Sequence, residues 1–223
     1  MKERLKTVLM RSGLLGIWNR YLGGNRVHAS GQRNRIQIGK SLLTQTQIRV
    51  TGDHNFISIG DGCRLFGLKI LVTGNSLRIN ISDNCQLRGT IKIEDTNSQI
   101  TIGAGTTMEN AYLGAYEGTR ISIGNDCMFS DRVGLRTGDM HSIVEADTQV
   151  RLNSSADIFI EPHVWLCRGV TVLKGCTVGT HSVVGGFSIV TSSLPAGVLA
   201  VGSPAKVIRE GITWQRERIA SHR

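Results

Sequence analysis

The feature that most constrains this chain is a hydrophobic period of six. Ile160, Leu166, Val172, Val178, Val184 and Val190 recur every six residues without a gap. Small or β-branched residues, Val164, Val170, Cys176, Ser182 and Ser188, stand two positions before each successor. A strict period of six matches neither the 3.6-residue helix nor a long alternating strand. It matches a coil with three short faces, each pointing one branched aliphatic side chain inward, so that three sixes close an 18-residue turn.

The same unit appears earlier in a looser form. RIQIGK from Arg35, FISIGDGC from Phe56, LRINISDNC from Leu77, QITIGAGT from Gln99 and RISIGNDC from Arg120 each place two isoleucines at spacing two. The second falls at Ile38, Ile59, Ile81, Ile102 and Ile123, in steps of 21, 22, 21 and 21 residues. These steps are coils carrying a small turn insertion. Stacked coils put like residues above like and cover one another's edges. The sequence therefore predicts an all-β chain, a parallel β-helix over about residues 35–192. Residues 1–34 form a helical cap and 193–223 a loop ending in a short helix from Trp214.

The cysteines follow the same register. Cys63, Cys85 and Cys127 each lie four residues after a repeat isoleucine, and Cys176 lies four after Val172. These are core positions for a small, weakly polar side chain. No CxxC pair exists, which argues against a zinc site or a disulfide framework. Cys167 alone is out of register and reads first as an ordinary turn residue.

Composition narrows the rest. The 223 residues suffice for one large domain, and 27 glycines with 3 prolines suit a fold of many tight turns. No window approaches 18 uninterrupted apolar residues. The N-terminal KERLKTVLMRSGLLGIW has no small-residue cleavage site, so no signal peptide is expected and a cytoplasmic location is favoured. Leu5, Val8, Leu9, Leu15, Trp18 and Leu22 form an approximate helical stripe among Lys and Arg. That stripe reads as a cap on the first coil, with peripheral membrane association as the alternative. The net charge of +9 favours polyanionic partners by Coulomb steering. Without an aromatic-basic RNA motif or a helix-turn-helix, nucleic acid is the weaker partner. A merely basic surface is the bland alternative.

Regular coils stop after Leu135 and resume at Ile158. The stretch between them, about residues 137–157, is polar and contains His141. Long excursions from a rigid scaffold commonly carry function, and a histidine there can serve as a general base near neutral pH. A lone loop histidine is more often a plain surface residue. Where the coils resume, HVWLCRGVTVLKG begins at His163. Trp165 alternates with the inward Val164 and Leu166, so its ring points outward, where it needs a ligand or another subunit to cover it.

These segments resemble the hexapeptide-repeat acyltransferase superfamily, and within it the bacterial capsule polysaccharide O-acetyltransferases, including those acting on sialic acid-containing capsules. The residues that carry the resemblance are TTMENAYLGAYEGTRISIGNDCM from Thr106, DMHS from Asp139, HVWLCRGVTVLKG, and GSPAKVIREGITWQRE from Gly202. It covers most of the chain after about Gln37. The resemblance implies a left-handed parallel β-helix, against the usual right-handed crossover, and a homotrimer with the active site between subunits. It implies acetyl-CoA as co-substrate, His141 as catalytic base and Trp165 beside the acetyl group, with no metal. The CoA arm would contact Trp165, Lys174, Gly185, Gly186 and Ser188, with Ser203 and Lys206 of the SPAK turn near its phosphates or adenine. Arg136, Asp139 and Arg151 would face an anionic sugar acceptor, and Asp139 is one candidate to orient the imidazole. Two positions depart from the family pattern. Ser142 stands where many members have proline, and Cys167 where many have glycine. Both leave the base assignment standing and bear on acceptor preference.

Other readings remain open at this stage. A neutral O-antigen or lipopolysaccharide sugar, or an amino sugar, could replace the anionic acceptor. A zinc carbonic anhydrase of the same fold needs closely spaced histidines, which the six here do not supply. A purely structural β-helix would not need the polar insertion, the outward tryptophan or the SPAK turn.

Overall fold

The computed structural model describes residues 15–220. It is a parallel β-solenoid of about eight turns, the coil that the repeats predict and the left-handed β-helix that the resemblance implies. One sheet stacks Arg35–Ile38, Phe56–Ile59, Arg78–Ile81, Gln99–Ile102, Arg120–Ile123, Ile158–Ile160 and Thr177–Val178 in order. Every step is parallel and in register. Ile59, Ile81, Ile102, Ile123, Ile160 and Val178 pair successively along one row. The repeat isoleucines are therefore a physical column, and each of these is at most 3% exposed. Burying such a side chain contributes about 1.5–3 kcal/mol. Ile38 is the exception at 39% exposed, because its strand ends the sheet and no further coil among the described residues covers it.

The corners explain the other repeat residues. A Cβ on Gly60 would come within 2.2 Å of Asp83 Oδ1, the oxygen that accepts the Asp61 backbone N–H at 2.8 Å. Glycine at this corner makes room for the next coil's carboxylate to satisfy a backbone donor. The buried Cys, Ser and Thr positions work similarly. Cys127 Sγ contacts Glu161 O at 3.2 Å, and Thr106 Oγ1 donates to Gly124 O at 3.0 Å. Burial pushes the Cys127 thiol up to about 11, which keeps it protonated as a donor. All five cysteines are free thiols.

The flanks differ from the sequence expectation at three points. Stacking begins at Arg26 rather than Arg35, since Arg26–Ser30 pairs in parallel with Gln47–Thr51. Its side chains are exposed, so RVHAS shows no hydrophobic period although its backbone completes the ladder. At the other end, Val198–Gly202 joins the sheet beside Val183–Val184 and turns back through Ala205–Glu210 as an antiparallel hairpin. Beyond it, residues 212–220 are not helical. Side chains and carbonyls there bond to the coils instead of to one another, as described below.

Of the N-terminal stripe, Leu5, Val8 and Leu9 lie outside the described residues. Leu15–Ile17 is helical and continues as a π-helical turn, Trp18–Leu22. Trp18 Nε1 donates to Leu43 O at 3.2 Å and Asn19 Nδ2 to Ser41 O at 2.8 Å, which docks this turn on the strand Leu42–Thr44. No helix among the described residues is long and apolar enough to cross a membrane.

Because the column is closely packed, truncating one member leaves a cavity that its neighbours cannot fill. Ile81→Ala is expected to destabilise the protein by about 2–5 kcal/mol. Chemical denaturation would show it as a lowered midpoint, and a change within error would mean the column is looser than its burial implies.

Candidate active site

The insertion leaves the scaffold without disturbing it. Ile123 pairs with Ile160, Phe129 with Leu166 and Leu135 with Val172, a constant offset of 37 residues, whereas Ile102 pairs with Ile123 at an offset of 21. The extra chain lies within residues 137–157. Its base is closed by Ala156 N–H donating to Thr137 O at 2.9 Å. Thr137 is fully buried, and its Oγ1 accepts from Tyr116 N–H at 3.0 Å. The tip folds back as a small antiparallel hairpin with a bridge between Val144 and Arg151 and a bond from Leu152 N–H to Ile143 O at 2.8 Å.

His141 sits at the foot of this hairpin and is exposed. Its backbone carbonyl accepts from Asn153 Nδ2 at 2.8 Å. Among the described residues no carboxylate touches its imidazole, and Asp139 is engaged elsewhere. The Asp139 carboxylate accepts from Lys174 Nζ at 2.5 Å and from Asn153 Nδ2 at 2.9 Å. Lys174 and Asn153 hold it below the usual carboxylate range. Arg151 pairs with Glu117 at 2.9 Å, and Ser155 Oγ donates to the same carboxyl at 2.8 Å. These two contacts depress Glu117, with Arg151 the larger cause. Arg136 lies 4.6 Å from the Tyr112 ring centroid. The three residues read as acceptor contacts thus divide. Asp139 and Arg151 anchor the hairpin to the coils, and Arg136 stacks on an aromatic ring beside its base.

Trp165 is half-buried on the outer row of its sheet, between Met128 and Val183. Its Nε1 donates to Ser130 Oγ at 3.3 Å, a long bond. The Trp214 ring lies 6.1 Å away, tilted by 54°. Trp214 is itself held firmly. Its ring stacks on His163 at 4.3 Å, its Nε1 donates to His163 O at 2.8 Å, and its carbonyl faces His163 Nε2 at 2.9 Å. His163 Nδ1 lies 2.7 Å from Asp126 Oδ2. Both partners of this imidazole are acceptors, so both bonds are filled only when the ring carries two protons. Burial would raise Asp126, but His163 and Arg216 overbalance it and leave the carboxyl depressed. Arg216 also donates to Thr107 Oγ1, Gly105 O and Cys127 O. This clasp fastens the C-terminal segment to the coils.

The residues read as CoA contacts lie in two settings. Ser203 and Lys206 are exposed on the turn and strand after Gly202. Lys174 is committed to Asp139 and to Asn153 O, the latter at 2.9 Å. A Cβ on Gly185 would meet Val201 Cγ1 at 2.6 Å, so this glycine serves close coil packing. A Cβ on Gly186 would meet Arg168 O at 3.4 Å. Ser188, like the two glycines a candidate for contact through its backbone, keeps its side chain inside. It is fully buried, and its Oγ accepts from Gly202 N–H at 2.9 Å. Its side chain supports the SPAK turn from inside and presents nothing to a ligand. Among the described residues no group of three or more His, Cys, Asp or Glu could hold a metal ion.

Sequence reading missed Asn153, Glu117, Ser130 and Trp214. Trp214 lies inside a segment that carried the resemblance, yet only its place against Trp165 gives it a role. No local pattern marks Asn153.

No protein-family profile matches the chain. A polysialic acid O-acetyltransferase of Neisseria meningitidis is 35% identical over 198 residues, which span 88% of this chain and 92% of that one. Among solved structures, the polysialic acid-specific acetyltransferase NeuO has a TM-score of 0.81 at 30% identity, covering 89% of this chain and 85% of that one. The polysialic acid O-acetyltransferase OatWY likewise gives 0.81 at 31% identity, covering 88% and 94%.

Glu117 and Asp139 are depressed by partners that exist only in the folded state. Their contribution is present above the ordinary carboxylate pKa of about 4 and is lost as pH falls through the lowered values. Acid should therefore loosen residues 143–152 before the coils melt. Amide exchange, corrected for intrinsic rates, is expected to show hairpin protection lost as the pH is taken below the ordinary carboxylate pKa of about 4, with the isoleucine column still protected. Simultaneous loss in both would show that these carboxylates do not anchor the hairpin separately.

Proposed function

The chain belongs to the polysialic acid O-acetyltransferases, hexapeptide-repeat enzymes, and from that membership we propose that it moves acetyl from acetyl-CoA to a hydroxyl of an anionic, sialic acid-containing surface polysaccharide. The observation that carries this reading is an exposed histidine on a hairpin anchored to the coils, on a scaffold that also presents an outward tryptophan. Acetyl-CoA supplies an already activated thioester, so no acyl-enzyme is needed. His141 takes the proton of the sugar hydroxyl as its oxygen bonds to the carbonyl carbon. The carbon–sulfur bond breaks, and His141 returns the proton to the departing thiolate. The Trp165 indole N–H is a single directional donor, suited to the developing oxyanion. Its bond to Ser130 is long enough to be exchanged at little cost.

Lys206 and Ser203 suit the polar end of the donor, since both are exposed on one turn. Gly185 and Gly186 remain candidates for contact through backbone. The net charge of +9, with Arg136 and Arg151 near the hairpin, supports a polyanionic acceptor. The reading places the enzyme in the cytoplasm, where a charged thioester donor is available. It also makes the enzyme a homotrimer with a site shared between subunits. The hairpin exposes Ile143, Val144, Val150 and Leu152 by 41–63%. That apolar face flanks a histidine whose ring has no partner among the described residues, and a second copy would cover the first and complete the second.

Purified protein incubated with acetyl-CoA should release free CoA when polysialic acid is present, and His141→Ala should lower that rate about 10²–10⁴-fold. Full activity in the variant moves the base elsewhere. Release only with neutral glycans changes the acceptor class. For assembly, the Ile143→Lys/Leu152→Lys double variant should sediment as a smaller species than the trimeric parent. A trimer unaffected by both charges removes the hairpin from the interface.

A further inference from the structure

Asn153 is 8% exposed, and its side-chain amide acts in both directions on the segment that carries His141. Nδ2 donates to His141 O at 2.8 Å, and Oδ1 accepts from Ile143 N–H at 2.7 Å. These two backbone groups flank Ser142, so the amide takes the place of a paired strand for the peptides on either side of it. The second Nδ2 hydrogen goes to Asp139 Oδ2 at 2.9 Å, and Oδ1 also accepts from Arg151 Nε at 3.3 Å. Both donors and both acceptor positions are used, and the amide orientation follows from its partners. Asn153 is fixed in turn by the scaffold. Its own carbonyl accepts from Lys174 Nζ at 2.9 Å, on a turn of the regular coils. Two cations therefore bracket it. Lys174 ties it to the coils directly, and Arg151 does so through Glu117.

Among the described residues nothing holds the His141 ring, so the ring's position is set by its backbone. That backbone is held by one side chain. We propose that Asn153 is the positioning residue for the catalytic base, transmitting the rigidity of the coils, through Lys174 and Asp139, to the peptide of His141. The proposal rests on the reading of His141 as that base. An error of about 1 Å in placing a reacting group costs on the order of 100-fold in rate. Loss of the clamp should therefore appear in kcat and leave donor binding alone.

Asn153→Asp keeps the size of the side chain, removes both Nδ2 bonds and sets a new carboxylate beside the peptide of His141. It would be compared with the parent and with His141→Ala, using acetyl-CoA and polysialic acid, with CoA release as the readout. The expected result is a kcat lower by about 100-fold, an unchanged KM for acetyl-CoA, and an acid limb of kcat/KM moved to higher pH. That last shift follows because a nearby negative charge favours the imidazolium. A general loss of structure would weaken donor binding together with kcat, so the fall in kcat at unchanged KM marks positioning, and the pH shift marks that residue 153 lies beside the imidazole. If His141→Ala is inactive while Asn153→Asp keeps the parental kcat and pH profile, the proposal is overturned and the base assignment survives. If His141→Ala keeps full activity, the base assignment itself fails. Should Asn153→Asp not melt cooperatively, Asp139→Asn decides. A lower kcat at unchanged KM for acceptor and donor supports the clamp, and an unchanged kcat overturns it.

Discussion

Everything in this molecule depends on like stacking on like. Each coil places its isoleucine on the one below, and its backbone donors and acceptors on the backbone of the next. The two requirements reinforce each other, since a slip of one residue would turn every buried aliphatic outward. Glycine corners and buried Cys, Ser and Thr residues serve the same end, because each closes a hydrogen bond between successive coils. The result is a rigid rod whose long-range geometry is set by nearest neighbours alone.

Such a rod tolerates an excursion if the ladder on either side stays in register. The constant offset between Ile123 and Ile160, Phe129 and Leu166, and Leu135 and Val172 shows that it does. The hairpin is then tied back by few contacts, all polar and mostly charged: Glu117 with Arg151, Lys174 with Asp139, and Asn153 among them. Polar anchoring suits a segment that has to fix one backbone while leaving an imidazole open. An apolar anchor would have needed to bury the surface around His141. The aliphatic side chains of the hairpin are instead left exposed.

The C-terminal segment belongs to the same economy. Trp214 and Arg216 find their partners in the coils at Asp126, Gly105, Cys127 and His163. Once those bonds are made, the backbone between them has no reason to coil into a helix. The clasp sets Trp214 near Trp165, so the residue beside the proposed acetyl site is positioned by a stretch of chain distant in sequence. His163, read first as the start of a motif, is the hinge of that clasp.

What the sequence by itself determined is the repeating part: the coil, its inward column, the core cysteines, the length of the insertion and the outward Trp165. All of these follow from period and register, which are local properties. His141 and Trp165 stood out as candidates through their company and spacing. Only the tertiary structure decided what surrounds them. It showed that Lys174 and Asp139 hold each other, that Ser188 faces inward to Gly202, that coils start at Arg26, and that residues 212–220 are irregular and not helical. Asn153 had no signal at all, because a buried asparagine looks like any loop asparagine until its partners are in place. Those facts depend on contacts between residues far apart in the chain. A hydrogen bond closed across a turn of the coil leaves no period to read.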